Sequence, residues 1–120
     1  IWWLEQGEAG EFKVKEIDTS FSQTHSMCLA DINSDNVPDF VTGKRWWAHG
    51  ASGDPGSDQP AVIHWFELNC ANKTANWIRH EIDHDSGVGT QFEVIDLNGD
   101  KLLDVVTANK KGAHVFLQKK

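Results

Sequence analysis

Two acidic stretches of nine residues carry the side chains of this sequence that are best suited to chemistry. They are DINSDNVPD (31–39) and DLNGDKLLD (96–104), and both follow the pattern D-x-N-x-D-x-x-x-D. Three carboxylates and one amide this close together repel one another without a cation, and oxygen ligands without His or Cys favour a hard ion such as calcium. The expected ligands of two Ca²⁺ sites are Asp31, Asn33, Asp35, the Val37 carbonyl and Asp39, then Asp96, Asn98, Asp100, the Leu102 carbonyl and Asp104.

Two other interpretations of these stretches fit the sequence less well. An EF-hand needs a Glu at position 12 and flanking helices, but Thr42 and Thr107 stand there and the flanks are strand-like. The other alternative is a pair of ordinary polar turns, in which Asp and Asn accept hydrogen bonds from their own backbone. Two occurrences in the same phase of a repeat favour calcium.

The elements that must position these loops recur along the chain. FKVKEID (12–18) aligns with WIRHEID (77–83), and residues 31–43 align with residues 96–108, both at an offset of 65 residues. A third kind of strand occurs three times, as WWLE (2–5), HWFEL (64–68) and HVFLQ (114–118). Short segments rich in β-branched and aromatic residues, punctuated by Gly and Pro, predict strands rather than helices.

Four short strands in each repeat predict an all-β fold with two four-stranded, antiparallel, propeller-like blades and a leading strand. The chain is expected to be a single unit over residues 1–120. Its expected parts are the leading strand at 2–5, repeat one at about 6–68 and repeat two at about 69–118. Two blades do not close a ring, so the chain is expected to be part of a longer propeller or to associate with copies of itself.

These repeats and loops resemble the FG-GAP/VCBS repeats of extracellular β-propellers, whose blades carry a DxDxDGxxD calcium loop between their first two strands. The resemblance covers nearly the whole chain, and it implies the Asp and Asn ligands named above and an extracellular or cell-surface location. The Gly of the family at position 6 is Asn36 in the first loop and Lys101 in the second. A left-handed backbone costs Lys more than Asn, so the second site is expected to be the weaker one.

One segment suggests an enzyme, but its context argues against it. HEIDH (80–84) fits the zinc-protease pattern H-E-x-x-H, in which a helix brings two His side chains to one metal ion. The aligned segment KEIDT (15–19) lacks His, and on a strand the two imidazoles would lie about 13 Å apart. No other catalytic constellation stands out, so an enzyme is not the favoured class.

Other residues carry weaker expectations. Trp46 and Trp47 precede a Gly- and Pro-rich loop, and they either pack between blades or form a platform for sugar rings. Because of that loop, one ring of this pair is expected to be more exposed than the other Trp rings. Asn72 begins a glycosylation sequon in an expected surface turn. Cys28 and Cys70 are either two buried thiols or one disulfide, because pairing depends on a separation that the sequence does not give.

Composition narrows the class of partner. With 18 acidic and 11 basic side chains the formal net charge is −7, which argues against nucleic-acid binding, and no apolar run reaches the ~20 residues of a membrane span. We therefore expect an extracellular, calcium-stabilised structural or adhesive module that self-associates head to tail as a ring or filament, or packs against neighbouring blades of a longer chain. The alternative is a carbohydrate-binding propeller domain of a secreted lectin or polysaccharide-processing enzyme.

Overall fold

A computed structural model describes residues 1–50, 52–71 and 74–120. Within these ranges the chain forms nine β-strands and no helix, as expected for short runs of β-branched and aromatic residues that pack well on a pleated surface. The strands are β1 (Trp2–Gln6), β2 (Phe12–Glu16), β3 (Thr24–Ala30), β4 (Asp39–Lys44), β5 (Ile63–Ala71), β6 (Thr74–Asp83), β7 (Phe92–Ile95), β8 (Asp104–Asn109) and β9 (Gly112–Phe116).

The strands form three antiparallel sheets, and sequential strands are neighbours in each one. The first sheet contains β1 and β2, the central sheet contains β3, β4, β5 and β6, and the third sheet contains β7, β8 and β9. The all-β prediction and the antiparallel pairing are therefore confirmed. None of the described residues lies in a helix with the length and apolarity of a membrane span.

The grouping of strands into sheets differs from the expected two four-stranded blades. Only the central sheet has four strands in the described residues, and the leading strand forms a hairpin with β2. The aligned segments FKVKEID and WIRHEID fall on β2 and β6, the last strands of their sheets. The first strand of each sequence repeat, β2 or β6, is therefore the last strand of the preceding sheet. The repeats and the sheets consequently have different boundaries.

The core lies on both faces of the central sheet, and β4 is buried at every position. Because strand side chains alternate between faces, Phe40 and Val41 point in opposite directions. Phe40 stacks on Phe66 with ring centroids 4.7 Å apart, and both lie on the face toward the first sheet, where Trp77 meets Trp3. The other face packs against the third sheet through Ile32, Val41, Ile63, Val88 and Val105.

The outer faces of the first and third sheets expose large apolar side chains. On the first sheet Leu4 and Val14 pair across the hairpin, and they are 57% and 64% exposed. The third sheet exposes Ile95 and Val115 in the same way. Both faces expose large apolar side chains of the kind that the central sheet buries. They are therefore candidate association surfaces.

Candidate functional site

The acidic stretches are the loops between the first and second strands of the central and third sheets. Residues 31–38 connect β3 to β4, and residues 96–103 connect β7 to β8. The ninth position of each motif, Asp39 or Asp104, is the first residue of the second strand. The two loops therefore occupy equivalent places in their sheets, as the repeat predicts.

Both loops wrap around the carboxylate at position 1. The Oδ1 atom of Asp31 accepts the N–H of Asp35 at 3.0 Å, and its Oδ2 atom accepts the N–H of Asn36 at 2.9 Å. Asp96 accepts the corresponding N–H groups of Asp100 and Lys101 at 3.1 and 2.9 Å. The same hydrogen bonds at the same spacing give both loops one conformation.

The side chains at positions 3 and 5 are exposed and contact each other. Asn33 Nδ2 donates to Asp35 Oδ2 at 3.0 Å, and Asp35 Oδ1 accepts the N–H of Val37 at 2.8 Å. In the second loop, Asn98, Asp100 and Leu102 repeat both bonds. Polar turns, the alternative interpretation of these stretches, have hydrogen bonds of this type. The bonds still leave lone pairs on each carboxylate that a cation could use.

The backbone is left-handed at positions 4 and 6 of both loops. The φ angles are 61° at Ser34 and 68° at Asn36, and 81° at Gly99 and 72° at Lys101. The expected strain at Lys101 is thus present, but the first loop has a comparable strained residue at Ser34, where the second loop has Gly. The backbone consequently gives no reason for the second loop to be weaker.

The carboxylates at position 9 have a role that the sequence did not indicate. Asp39 and Asp104 are completely buried. Asp39 accepts the N–H of Ile32 at 3.1 Å and that of Leu68, on β5, at 2.9 Å. Asp104 accepts the equivalent N–H groups of Leu97 and Gln118 at 3.0 and 2.9 Å. Each carboxylate therefore ties the start of its loop to the third strand of its sheet, or to the residues just after that strand.

The Asp side chains of the two loops have no ion-pair partner among the described residues. Among the described residues, none of the six Asp side chains of the two motifs forms an ion pair with Lys, Arg or His. The described residues also hold no preformed cluster of three or more His, Cys, Asp and Glu side chains around one point. A cation bound here would therefore need amide and backbone carbonyl oxygens as well as carboxylates, which is the type of ligand set calcium accepts.

The Trp46–Trp47 pair lies at the other end of β4. Its ring centroids are 5.9 Å apart at an angle of 37°. Trp46 is half-buried and Trp47 is 40% exposed, but Trp2 is 57% exposed, so the expectation that a ring of this pair would be the most exposed Trp is wrong. The Nζ atom of Lys111 lies 4.7 Å from the centroid of the Trp46 ring.

A buried lysine fixes the long loop that follows this pair. Lys44 is completely buried, and its Nζ atom donates to the Gln59 carbonyl at 3.0 Å. Burial lowers the pKa of the Lys44 ammonium, and the Asp58 carboxylate opposes this shift. The sequence offered little sign of this role, because Lys is almost never fully buried.

The segment HEIDH begins within β6, so the strand interpretation of this segment is confirmed. The ring of His80 stacks on Trp65 at 4.2 Å, and its Nε2 atom is 2.8 Å from Glu67 Oε2. His84 lies beyond the end of β6 and faces Glu81 at 3.7 Å. The two imidazoles therefore have separate partners, and the helical geometry of the zinc-protease motif is absent from this segment.

The remaining sequence expectations concern isolated residues. Cys28 and Cys70 are free thiols, and neither is fully buried. Asn72 lies outside the described residues, so its glycosylation stays a prediction. Comparisons with known protein families, with curated proteins and with solved structures gave no match to this chain.

Proposed function

We propose that this chain is an extracellular, calcium-stabilised module of the β-propeller type that acts by interaction rather than by catalysis. The observation that carries the proposal is the pair of acidic loops, which share one conformation and lack cationic partners in the described residues. Two Ca²⁺ ions would bring +4 to the six Asp carboxylates, and so reduce the repulsion within each loop.

The proposed ligands are those of the two motifs, with one distinction. The side chains of Asp31, Asn33 and Asp35, and their counterparts Asp96, Asn98 and Asp100, lie at or near the surface of the loops. Asp39 and Asp104 serve first as anchors of the sheet, and they would contribute only the lone pairs left by their two N–H bonds. Calcium would then stiffen a loop that the fold already holds in shape.

The location outside the cell follows from the affinity expected of such loops. Extracellular calcium modules bind with dissociation constants of about 10⁻⁴–10⁻³ M. Such sites would fill at extracellular calcium concentrations and stay empty in the cytosol. The proposal that the module is extracellular therefore depends on calcium binding.

Calcium is expected to raise the melting temperature of this protein. At a calcium concentration about ten times Kd, each site adds about 1.4 kcal/mol, or about 3 kcal/mol for two sites. For a domain of this size that corresponds to about 10 °C. Differential scanning calorimetry in EDTA and in excess calcium measures this gain.

Substitutions in the loops test whether the calcium-dependent gain in melting temperature comes from these two sites. Asp31→Ala and Asp96→Ala should each remove about half of it, since both loops have the same conformation. Glu93→Gln, a change of an exposed carboxylate outside the loops, is the matched control and should keep the full gain. Melting temperatures that are identical in EDTA and calcium would contradict the proposal.

The interaction part of the proposal concerns the two exposed sheet faces. Ile32 and Leu97 occupy the same position in their loops, yet Ile32 is 7% exposed and Leu97 is 54% exposed. The third sheet covers Ile32, and no sheet within the described residues covers Leu97. A sheet packed on this outer face would complete the arrangement seen between the central and third sheets.

We expect the isolated chain to self-associate through these faces at micromolar concentration. Light scattering coupled to size exclusion should give a mass of several chains. Leu4→Thr with Val14→Thr should lower that mass because both side chains point outward on the first sheet. Met27→Thr, at an exposed position outside the terminal sheets, is the control. A well-folded monomer would refute self-association, and the calcium prediction would still stand.

A further inference from the structure

A large apolar groove lies between the central and third sheets. Its volume is about 560 Å³. Trp65 and Ile82 line it from the central sheet, and Val105 and Phe116 line it from the third sheet. All four residues belong to the apolar core between these two sheets or pack against it. The groove is therefore the open flank of that core.

The groove also borders an unpaired strand edge. Residues 115–119, which include the end of β9, line it. β9 pairs with β8 on one side, and within the described ranges no strand pairs with its other side. The backbone N–H and C=O groups on that side of β9 are therefore available to an added strand.

In the central sheet the corresponding edge is covered by a fourth strand. β5 is the counterpart of β9, because HWFEL aligns with HVFLQ. Leu68 and Gln118, at the ends of these segments, each donate an N–H to the buried Asp of their own sheet. β6 pairs with β5 along its whole length. The third sheet thus has counterparts of β3, β4 and β5, but none of β6 within the described residues.

The fourth strand of the central sheet places the ring of Trp77 against the first sheet. The centroid of this ring lies 4.8 Å from that of Phe40 and 6.2 Å from that of Trp3. Val105 stands 65 residues after Phe40, and Trp65 corresponds to Trp3 in the aligned segments HWFEL and WWLE. Both of these counterparts line the groove. The groove therefore lies where a ring equivalent to that of Trp77 would pack.

The pairing of β5 with β6 defines the direction and register of a strand added to β9. β6 runs antiparallel to β5, and Trp77 pairs with Leu68. The equivalent aromatic residue of an added strand would lie opposite Gln118, which lines the groove. Because paired residues of an antiparallel sheet point to the same face, the aromatic ring would point toward the groove.

The charges beside β9 favour a strand with an acidic C-terminal end. Glu81 of β6 pairs with His64, and the counterpart of His64 on β9 is His114. The turn between β8 and β9 carries Lys110 and Lys111. An antiparallel strand that ends in acidic residues, as β6 does with the segment HEID, would meet positive charge at this turn.

We propose that the groove and the unpaired edge of β9 bind an extended segment of a different polypeptide as a fourth, antiparallel strand. The segment places an aromatic ring against Val105 and Trp65, and its acidic end lies beside the turn between β8 and β9. β2, which aligns with β6, is already paired with β1, so the added strand comes from another molecule. These contacts involve neither the carboxylates of the acidic loops nor packing of the outer sheet faces, so the proposal does not depend on calcium binding or self-association.

The probe for this site is the fluorescein-labelled peptide TANWIRHEID, which has the sequence of β6 (Thr74–Asp83). Fluorescence anisotropy in EDTA should show saturable binding of the peptide to the full chain. A peptide with Ala in place of Trp77 should bind at least about tenfold more weakly, because the buried ring supplies much of the affinity. Hydrogen–deuterium exchange of β9 should slow when the peptide is bound, because its unpaired N–H groups become hydrogen-bonded.

Two protein variants test the strand edge and the groove separately. Leu117→Pro removes a backbone N–H just beyond the last residue of β9 that pairs with β8, and should weaken binding. Leu117→Ala keeps this N–H and is the matched control. Leu103→Lys introduces a charge into the apolar groove and should weaken binding about tenfold. Leu97→Lys, at an exposed position of the same loop outside the groove, should bind the peptide like the wild type.

The outcomes distinguish this site from other uses of the groove. Folded Leu103→Lys and Leu117→Pro proteins that bind the peptide like the wild type would overturn the proposal. Equal binding of the two peptides, or no binding by the wild type, would do the same. If the peptide lowers the mass of the self-associated chain in light scattering, a second copy occupies the groove, and the assignment to a different polypeptide is wrong.

Discussion

Replacing Asp39 with alanine is expected to lower the free energy of unfolding by about 4 kcal/mol, even when calcium is removed by EDTA. The buried carboxylate accepts the N–H groups of Ile32 and Leu68, at 3.1 and 2.9 Å. Alanine leaves a buried donor at Ile32 and a partly buried donor at Leu68 without an acceptor, and each loss costs about 1–3 kcal/mol. Chemical denaturation in EDTA measures the change separately from any effect on calcium.

Companion variants separate this anchor from ordinary loop residues. Asp39→Asn keeps one acceptor oxygen and should cost about half as much. Asp104→Ala, the equivalent change in the third sheet, should also be destabilising, whereas Asp35→Ala at an exposed position should cost much less. Equal stability losses for Asp39→Ala and Asp35→Ala would show that the buried carboxylate does not tie the loop to β5.

Replacing Gly43 with alanine is expected to cost at least about 3 kcal/mol. Gly43 pairs with Ile63, the first residue of β5, and a Cβ atom at position 43 would overlap the Val62 carbonyl oxygen and lie 3.0 Å from Ile63 Cα. Both obstacles are backbone atoms, so no side-chain rotation relieves the overlap. Circular dichroism during urea unfolding measures the loss.

The third sheet provides the control for this substitution. Ala108 stands 65 residues after Gly43 and pairs with Ala113 at an exposed position. The chain returns there through a tight hairpin, whereas β5 is reached through the long connection 45–62. Ala108→Gly should therefore change stability by about 1 kcal/mol or less. If Gly43→Ala changes stability by no more than Ala108→Gly does, the backbone at Val62 can move away from the added Cβ atom.

The sequence alone was enough to predict the strand character of the chain and the equivalence of the two acidic loops. Strand segments follow from local runs of β-branched and aromatic residues. The loop bonds join residues two to five positions apart, such as Asp31 with Asp35 and Asn36. Residue types and spacing determine such short-range bonds directly, which is why two separate segments with one pattern adopt one conformation.

Only the tertiary structure decided which strands share a sheet and what each carboxylate does. The bond from Leu68 to Asp39 joins residues 29 positions apart, and no local pattern distinguishes Asp39 from Asp35. The exposure of Leu97 and the burial of Ile32 depend on whether another sheet packs nearby. Likewise, the ion pair between Arg79 and Asp18 joins residues 61 positions apart. Residue type sets the bonds a side chain can make, but contacts between distant parts of the chain determine which partners it finds.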